Sequence, residues 1–292
     1  MKSRRPVNSN VRQLFDREMD HMTRALTVAA AVILIAGLAR AQQTPSPAHL
    51  SCLYCRPAET VIGPVRSVLA IEKRDEYPFD TTVDIYNPQG QKVESMSHSS
   101  NREVHSGQIV RLDSRYLYVY DAQRRLTKQV GAALENPERT YDATTYKYDS
   151  NGLLIEETVL SGGKPFLKTA FSYEPAKRTV VALTTTYVDD RVVGPDKAVL
   201  VYNEKGQWIK RTIYRSDGSV NASAEFLYDE RGNLARENRH GDDGKFHYAD
   251  SYTYKYDSRG NWYERHEMNY ESETKNTPDW MVVYRVISYY EK

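Results

Sequence analysis

His240, Asp242, Asp243, His247 and His266 are of the types that ligate divalent metals, and they cluster around the turn Gly241-Asp-Asp-Gly244 and the segment after it. Strand pairing across such a turn can bring two imidazoles and a carboxylate together, the donors of a zinc-like site. The simpler expectation is a solvated turn with exposed histidines, so no metal or other cofactor is expected. His266-Glu267 opens like a zinc-protease helix, but Tyr270 stands where the second histidine belongs. The sequence has no nucleophile elbow, phosphate loop or dinucleotide fingerprint. With 39 acidic residues in the chain, spacing selects no carboxylate pair for glycoside hydrolysis, and no catalytic residue is nominated.

Two other groups carry potential chemistry. Cys52 and Cys55 are the only cysteines, in the segment Ser-Cys-Leu-Tyr-Cys-Arg-Pro. Three readings stay open for them: a small-loop disulfide or idle thiols, a redox pair, and half of a metal site; the first is simplest for a Pro-flanked segment ahead of the first strand. Trp208, Trp262 and Trp280 could stack on a sugar ring. Two of them, Trp208 and Trp262, occupy a position filled elsewhere by leucine, so packing on an inner face is the simpler expectation.

The chain that positions these groups has 292 residues, a formal charge of +1 and a mean hydropathy of −0.69. That balance provides no basic field for nucleic acid or an anionic membrane. Residues Ala25–Ala39 form an apolar run too short for a comfortable membrane span, flanked by Arg24 and by the small-residue pattern Ala39-Arg40-Ala41. Residues 1–41 are therefore expected to be a helical signal peptide, with Met22 as an alternative start, 42–62 a linker holding the two cysteines, and 63–292 the folded domain. Without 1–41 the chain holds 33 basic and 36 acidic residues. An exported, mildly acidic protein of the periplasm, cell envelope or medium is expected, meeting membrane only through the N-terminal segment if that is retained.

Tyrosine is the compositional signal: 23 Tyr against 6 Phe. A ring that packs and a hydroxyl that reaches water suit half-buried sheet. Seven tyrosines open one phrase, Tyr-Asp/Asn-x-x-Gly with Glu174 in the second place of one copy: Tyr86 with Gly90, Tyr120, Tyr148 with Gly152, Tyr173, Tyr202 with Gly206, Tyr228 with Gly232, and Tyr256 with Gly260. Asp or Asn caps the turn, and Gly takes the left-handed conformation that closes a hairpin through a bulge. Arg124 and Lys177 replace Gly in the copies at Tyr120 and Tyr173, so those two turns are expected to be looser or of another type. In most copies a bulky residue stands two before the tyrosine and another six after it, such as Phe226 and Leu234, on the tyrosine's face. Second turns at Ser161, Ser216 and Gly241 lie between copies. The expected fold is all-β: an antiparallel meander of about fourteen strands and a last one over Trp280–Tyr290, forming a long curled sheet with open edges.

The phrase, best seen in Tyr-Asp-Glu-Arg-Gly-Asn-Leu from Tyr228 and Tyr-Asp-Ser-Arg-Gly-Asn-Trp from Tyr256, resembles the YD-repeat, or RHS-like, exported proteins of bacteria. The likeness runs from about Tyr86 to Glu264, and the Gly63-Pro-Val segment is similar to the lead-in strand of short members. Seven copies and no cargo domain depart from the large shells that enclose toxins, so that role is not carried over. The resemblance implies a curled β-module of the envelope. The expected function is a non-enzymatic module binding a protein or a cell-surface glycan. A hydrolase with its site in loops near Gly131–Thr140 or Glu271–Asp279 is the second reading. An outer-membrane barrel is the third, and the charges on both faces of LARENRH weigh against it.

Overall fold

Sixteen strands follow in chain order: β1 (Val65–Arg74), β2 (Asp80–Tyr86), β3 (Lys92–Arg102), β4 (Ile109–Tyr120), β5 (Leu126–Ala132), β6 (Thr140–Tyr148), β7 (Leu154–Ser161), β8 (Lys164–Glu174), β9 (Thr179–Val188), β10 (Arg191–Tyr202), β11 (Trp208–Tyr214), β12 (Val220–Tyr228), β13 (Leu234–His240), β14 (Phe246–Tyr256), β15 (Trp262–Tyr270) and β16 (Asp279–Tyr289). The computed structural model describes residues 61–291 except 75–79, 103–108, 133–139, 189–190 and 271–278. Cys52, Cys55 and the expected signal helix lie outside the described residues. Among the described residues the one helical piece is a 3-10 turn, Pro175–Lys177.

Each strand pairs antiparallel with its neighbours in sequence, and β16 pairs back onto β1, so the sheet closes into a barrel. This corrects the expected open, curled sheet: the closed sheet has no first or last strand left with a free edge. Closure uses an eighth unit that no local phrase announces. Tyr289 pairs with Val65 and the register then shifts by one residue, as it does where Tyr256 meets Trp262 and Tyr148 meets Leu154. The two strands of this unit come from opposite ends of the domain. Tyr290 N–H donates to Pro64 O at 2.8 Å, and its hydroxyl donates to Tyr86 O at 2.5 Å.

The phrase turns form as their residues dictate. In the copy at Tyr148, Gly152 N–H donates to Asp149 O at 3.1 Å, and Asp149 Oδ1 accepts from the N–H groups of Asn151 and Leu153 at 2.9 and 2.8 Å. Gly152 takes φ +82°, where an L side chain is strained. At Tyr120 the expectation of a looser turn fails: Arg124 adopts φ 65° and makes the same bond to Asp121 O at 2.9 Å. Arg125 Nε, 2.7 Å from Asp121 Oδ2, reinforces that turn. At Tyr173 the turn does change type, into the 3-10 piece ending at Arg178, φ 52°.

Alternation along each strand separates two faces. The repeat tyrosines, Tyr146, Phe171, Leu200, Phe226 and Trp262 share the more buried one, with Phe226 only 2% exposed. Closure crowds inward side chains and splays outward ones, so this is the inner face. Tyr146, Leu154, Phe171, Val180, Ala182, Ala198 and Leu200 form one cluster that spreads over consecutive strands, with Leu126 and Trp208 against it. A circular barrel of sixteen strands about 4.8 Å apart and tilted about 40° has a Cα radius of about 16 Å, the size at which a channel opens. Lateral packing on neighbouring strands is the arrangement that such a radius demands.

Candidate functional site

The inner face is layered. Nearest the phrase turns lies a collar of tyrosines, leucines and Trp208. Four of the repeat tyrosines tie their hairpin to the previous one through its backbone: Tyr120 Oη donates to Lys92 O, Tyr148 Oη to Leu126 O, Tyr173 Oη to Leu154 O and Tyr228 Oη to Trp208 O, at 2.7, 2.8, 2.8 and 2.8 Å. Burial raises these phenols. Tyr118 is pushed up to about 12 by burial and then by the Asp84 charge, Tyr120 to about 12 by burial, and Tyr173 to about 12 by burial and Asp149.

Below the collar, β11 and β13–β15 carry charge on the same face. Glu237 is 1% exposed; its Oε1 lies 2.7 Å from Arg239 Nε and 3.6 Å from Arg211. Arg239 also reaches Asp250 at 4.0 Å and the Tyr248 hydroxyl, and Asn269 Nδ2 donates to Asp250 Oδ1 at 2.7 Å. A carboxylate this deep persists only because guanidinium groups, one on its own strand and one on β11, compensate it.

A half-open hollow of about 190 Å³ lies on this face across β2, β1, β16 and β15, lined by Ala70, Glu72, Asp80, Thr82, Trp262, Arg265, Val283 and Arg285. Its register is readable: Glu72 faces Asp80 on one side and Val283 on the other, Val283 faces Arg265, and Ala70 sits between Thr82 and Arg285. The Arg285 guanidinium lies 3.4 Å over the Trp262 ring, and Arg265 approaches it at 5.2 Å. Trp262 is 3% exposed, and its indole N–H has no hydrogen-bond partner within the protein.

The residues singled out from sequence fare differently. Trp262 borders this cavity, but with Arg285 on its ring it is no open stacking platform. Trp208 packs against the apolar cluster. Trp280 stands in β16 opposite Met268, its side chain outside the described set. Asp242 engages Arg215 at 2.8 Å and His266 engages Glu264 at 2.6 Å. His240 packs edge-on to Phe246, and His247 edge-on to Tyr248. Among the described residues no three His, Cys, Asp or Glu side chains are placed to hold a metal. The loops proposed for a hydrolase site fall mostly outside the described residues. Sequence reasoning missed Glu72, Asp80, Arg265 and Arg285, because nothing local joins residues from four strands at both ends of the domain.

Fold and inner face together define a closed antiparallel β-barrel built from hairpin repeats. It is similar to a porin-like protein from Bacteroides uniformis, with 11% identity, a TM-score of 0.39, and 77% of this chain and 98% of that one covered. It also has similarity to the complex TcdB2-TccC3, with 13% identity, a TM-score of 0.26, and 72% of this chain against 14% of that one. A Photorhabdus luminescens Tc holotoxin pore matches at 11% identity and a TM-score of 0.15, over 68% of this chain and 16% of that one. No protein family and no curated protein matches the chain. Overlaps this low assign it to no family.

Proposed function

We propose that the protein is an exported, water-facing repeat barrel of the cell envelope, a non-enzymatic module that binds a protein or a cell-surface glycan. The observation that carries this reading is a girdle of ion pairs on the outward face. Glu94–Arg115 at 2.6 Å, Lys147–Glu156–Lys168 at 2.7 and 2.8 Å, Lys210–Glu225 at 3.7 Å and Lys255–Glu264 at 2.6 Å all sit at registers opposite to the inward tyrosines. A lipid-facing barrel needs an outward apolar band about 25 Å tall, and charges at mid-depth cost about 2–4 kcal/mol each. A non-enzymatic role is supported by the engagement of the inner acids by basic or amide groups, as Glu237 is by Arg239 and Asp250 by Asn269. Closure removes strand edges, so a partner would meet faces and turns rather than add a strand.

The barrel's closure and its polar inner layer favour a second reading, an outer-membrane barrel. Fractionation of cells expressing the full chain separates the two. The first reading expects protein in the soluble periplasmic or secreted fraction, monodisperse without detergent, and retained on at least one surface in a panel of cell-surface glycans and envelope proteins. Recovery only in the outer membrane, with detergent required for solubility, would overturn it in favour of the second.

A further inference from the structure

We infer that residues 45–60 lie as a strap along the outward face of the barrel, over Leu69 of β1 and Val83 of β2. Leu69 stands opposite Val286 on one side and Val83 on the other, and Val83 stands opposite Met96. Their chain neighbours Ala70 and Thr82 line the inner hollow, so Leu69 and Val83 point outward. Outward side chains splay apart on a closed sheet, and their exposure is correspondingly high: 40% for Leu183, 53% for Leu227 and 39% for Val286. Leu69 is 6% exposed and Val83 9%. Something covers them.

Lateral neighbours do not account for the difference. Leu183 is flanked by Lys197 and Ala170, with Val181 and Thr185 along its own strand. Leu69 is flanked by two valines, with Ser67 and Ile71 along its strand, a set no bulkier. Val83 and Val286 sit on either side of this one leucine, yet the first is shielded and the second open. The cover is therefore a strip that lies over β1 and β2 and stops short of β16. The shielding is present in a single chain, so no second copy provides it. Among the described residues every strand is part of the wall itself, and none lies outside it.

The chain enters β1 beside this face. Ile62 is fixed at the last phrase turn, its N–H donating to Asn261 Oδ1 at 2.6 Å and its carbonyl accepting from Asn261 Nδ2 at 2.8 Å. Gly63, at φ +90°, then turns the chain into the strand. Leu69 and Val83 lie about 14 and about 10 Å from that rim, counted at about 3.4 Å per residue from Val65 and Tyr86. Residues 45–60 reach about 50 Å when extended, ample to run down the wall. The compact unit that holds the barrel begins at Pro45. Leu50, Leu53 and Tyr54 supply large apolar side chains to set against Leu69 and Val83. The connections outside the described residues are shorter, 271–278 being the longest, and each is tied at both ends to the opposite rim. The strap goes beyond the envelope-binding role proposed above: it takes one strip of the outer wall away from any partner and sets Cys52 and Cys55 outside the barrel.

The experiment measures thiol labelling in the full chain, processed by its host, with Cys52→Ser and Cys55→Ser as the background. A reporter thiol introduced by Val83→Cys is compared with one introduced by Leu227→Cys, through the rate of reaction with a water-soluble reagent under native conditions. The V83C reporter is expected to react at least tenfold more slowly than L227C. Adding Leu50→Asp and Leu53→Asp should raise the V83C rate at least tenfold and leave the L227C rate as it was, in protein whose far-UV spectrum and elution volume are unchanged. Should V83C misfold, Leu69→Cys takes its place as the reporter. Equal rates at the two reporters, or a slow V83C that the charged strap leaves slow, would overturn the strap. So would protection that fades on dilution, which would make the cover a second copy. Fractionation decides the envelope-binding reading separately, and neither result stands in for the other.

Discussion

Tyr289, in the last strand, donates its hydroxyl to Asp257 Oδ2 of the preceding phrase turn at 2.8 Å. Asn261 Nδ2 donates to the same hydroxyl at 2.8 Å, and the Asn261 side chain also brackets the backbone of Ile62, accepting its N–H at 2.6 Å and donating to its carbonyl at 2.8 Å. One turn thus holds both ends of the domain. The copy before it repeats the clamp: Tyr256 donates to Asp229 Oδ2 at 2.7 Å and receives Asn233 Nδ2 at 2.8 Å. Where the residue after glycine is Gln, the link differs. Asn203 Nδ2 donates to Gln207 Oε1 at 3.0 Å, and Gln207 Nε2 donates to Gly232 O of the next turn at 3.1 Å. Gln91 does the same towards Arg124 O at 3.4 Å. In these four turns the pair of bounding residues therefore selects whether a repeat holds the next tyrosine or the next turn.

Tyr289→Phe strands a carboxylate oxygen and an amide donor, whereas Tyr148→Phe strands only Leu126 O. The expected cost is about 1–3 kcal/mol for the first and about 0.5–1.5 kcal/mol for the second. Urea midpoints of the two variants check the order, and equal losses would contradict the clamp.

Arg124 occupies a left-handed backbone that costs a non-glycine residue roughly 1–2 kcal/mol, partly offset by its smaller unfolded-state entropy. Arg124→Gly should stabilise the barrel by about 0.5 kcal/mol. Gly152→Ala, with open space around the added methyl but φ +82°, should destabilise by about 1 kcal/mol. At Gly194 a Cβ would also stand 2.9 Å from Thr184 O, so Gly194→Ala should cost more than Gly152→Ala in the same denaturation series.

Ending the chain at residue 278 removes β16 and leaves β1 and β15 with open ladders. Such edges pair with other chains. The shortened protein should elute as polydisperse multimers in size-exclusion chromatography while the full domain does not. A stable monomer would show that β16 is not what seals the sheet.

Glu237→Gln removes the carboxylate that answers the buried Arg211 and the half-buried Arg239 on the inner face. A loss of about 3–5 kcal/mol is expected. Glu225→Gln, which breaks the exposed pair with Lys210, should cost at most about 1 kcal/mol. Similar values for both in chemical denaturation would deny the inner network its structural weight.

Alkali should unfold the protein through its tyrosines. Burial, and for Tyr256 also the Asp229 carboxylate, holds Tyr118, Tyr120, Tyr173 and Tyr256 near 12, above the ordinary 10. Between those values the folded state keeps protons that the unfolded state has released, so stability is whole below pH 10 and falls as pH rises towards 12. Thermal midpoints across that window should drop, with phenolate absorbance appearing together with unfolding. A flat profile would mean that these hydroxyls ionise freely in the folded barrel.

Much of the fold was legible because its turns are chemically local. Asp149 caps N–H groups two and four residues away, and Gly152 supplies a backbone angle that no neighbour decides. Period-two alternation then assigned Phe226 and Leu234 to the face of Tyr228. The turn at Arg124 shows the limit of that logic: the ion pair of Arg125 with Asp121 holds a conformation that glycine was expected to supply. The candidate site was hardly legible. Trp262 was noticed, but Glu72, Asp80 and Arg285 have no spacing that marks them.

By itself the sequence determined the hairpin unit, its sevenfold repetition and the sidedness of its strands, since each rests on contacts within a few residues. Tertiary structure decided whether the sheet stays open or closes, because closure depends on twist and stagger accumulated over sixteen strands. It also decided which charges meet. Val65 finds Tyr289, and Ala70 comes to face Arg285, only once β16 is brought beside β1.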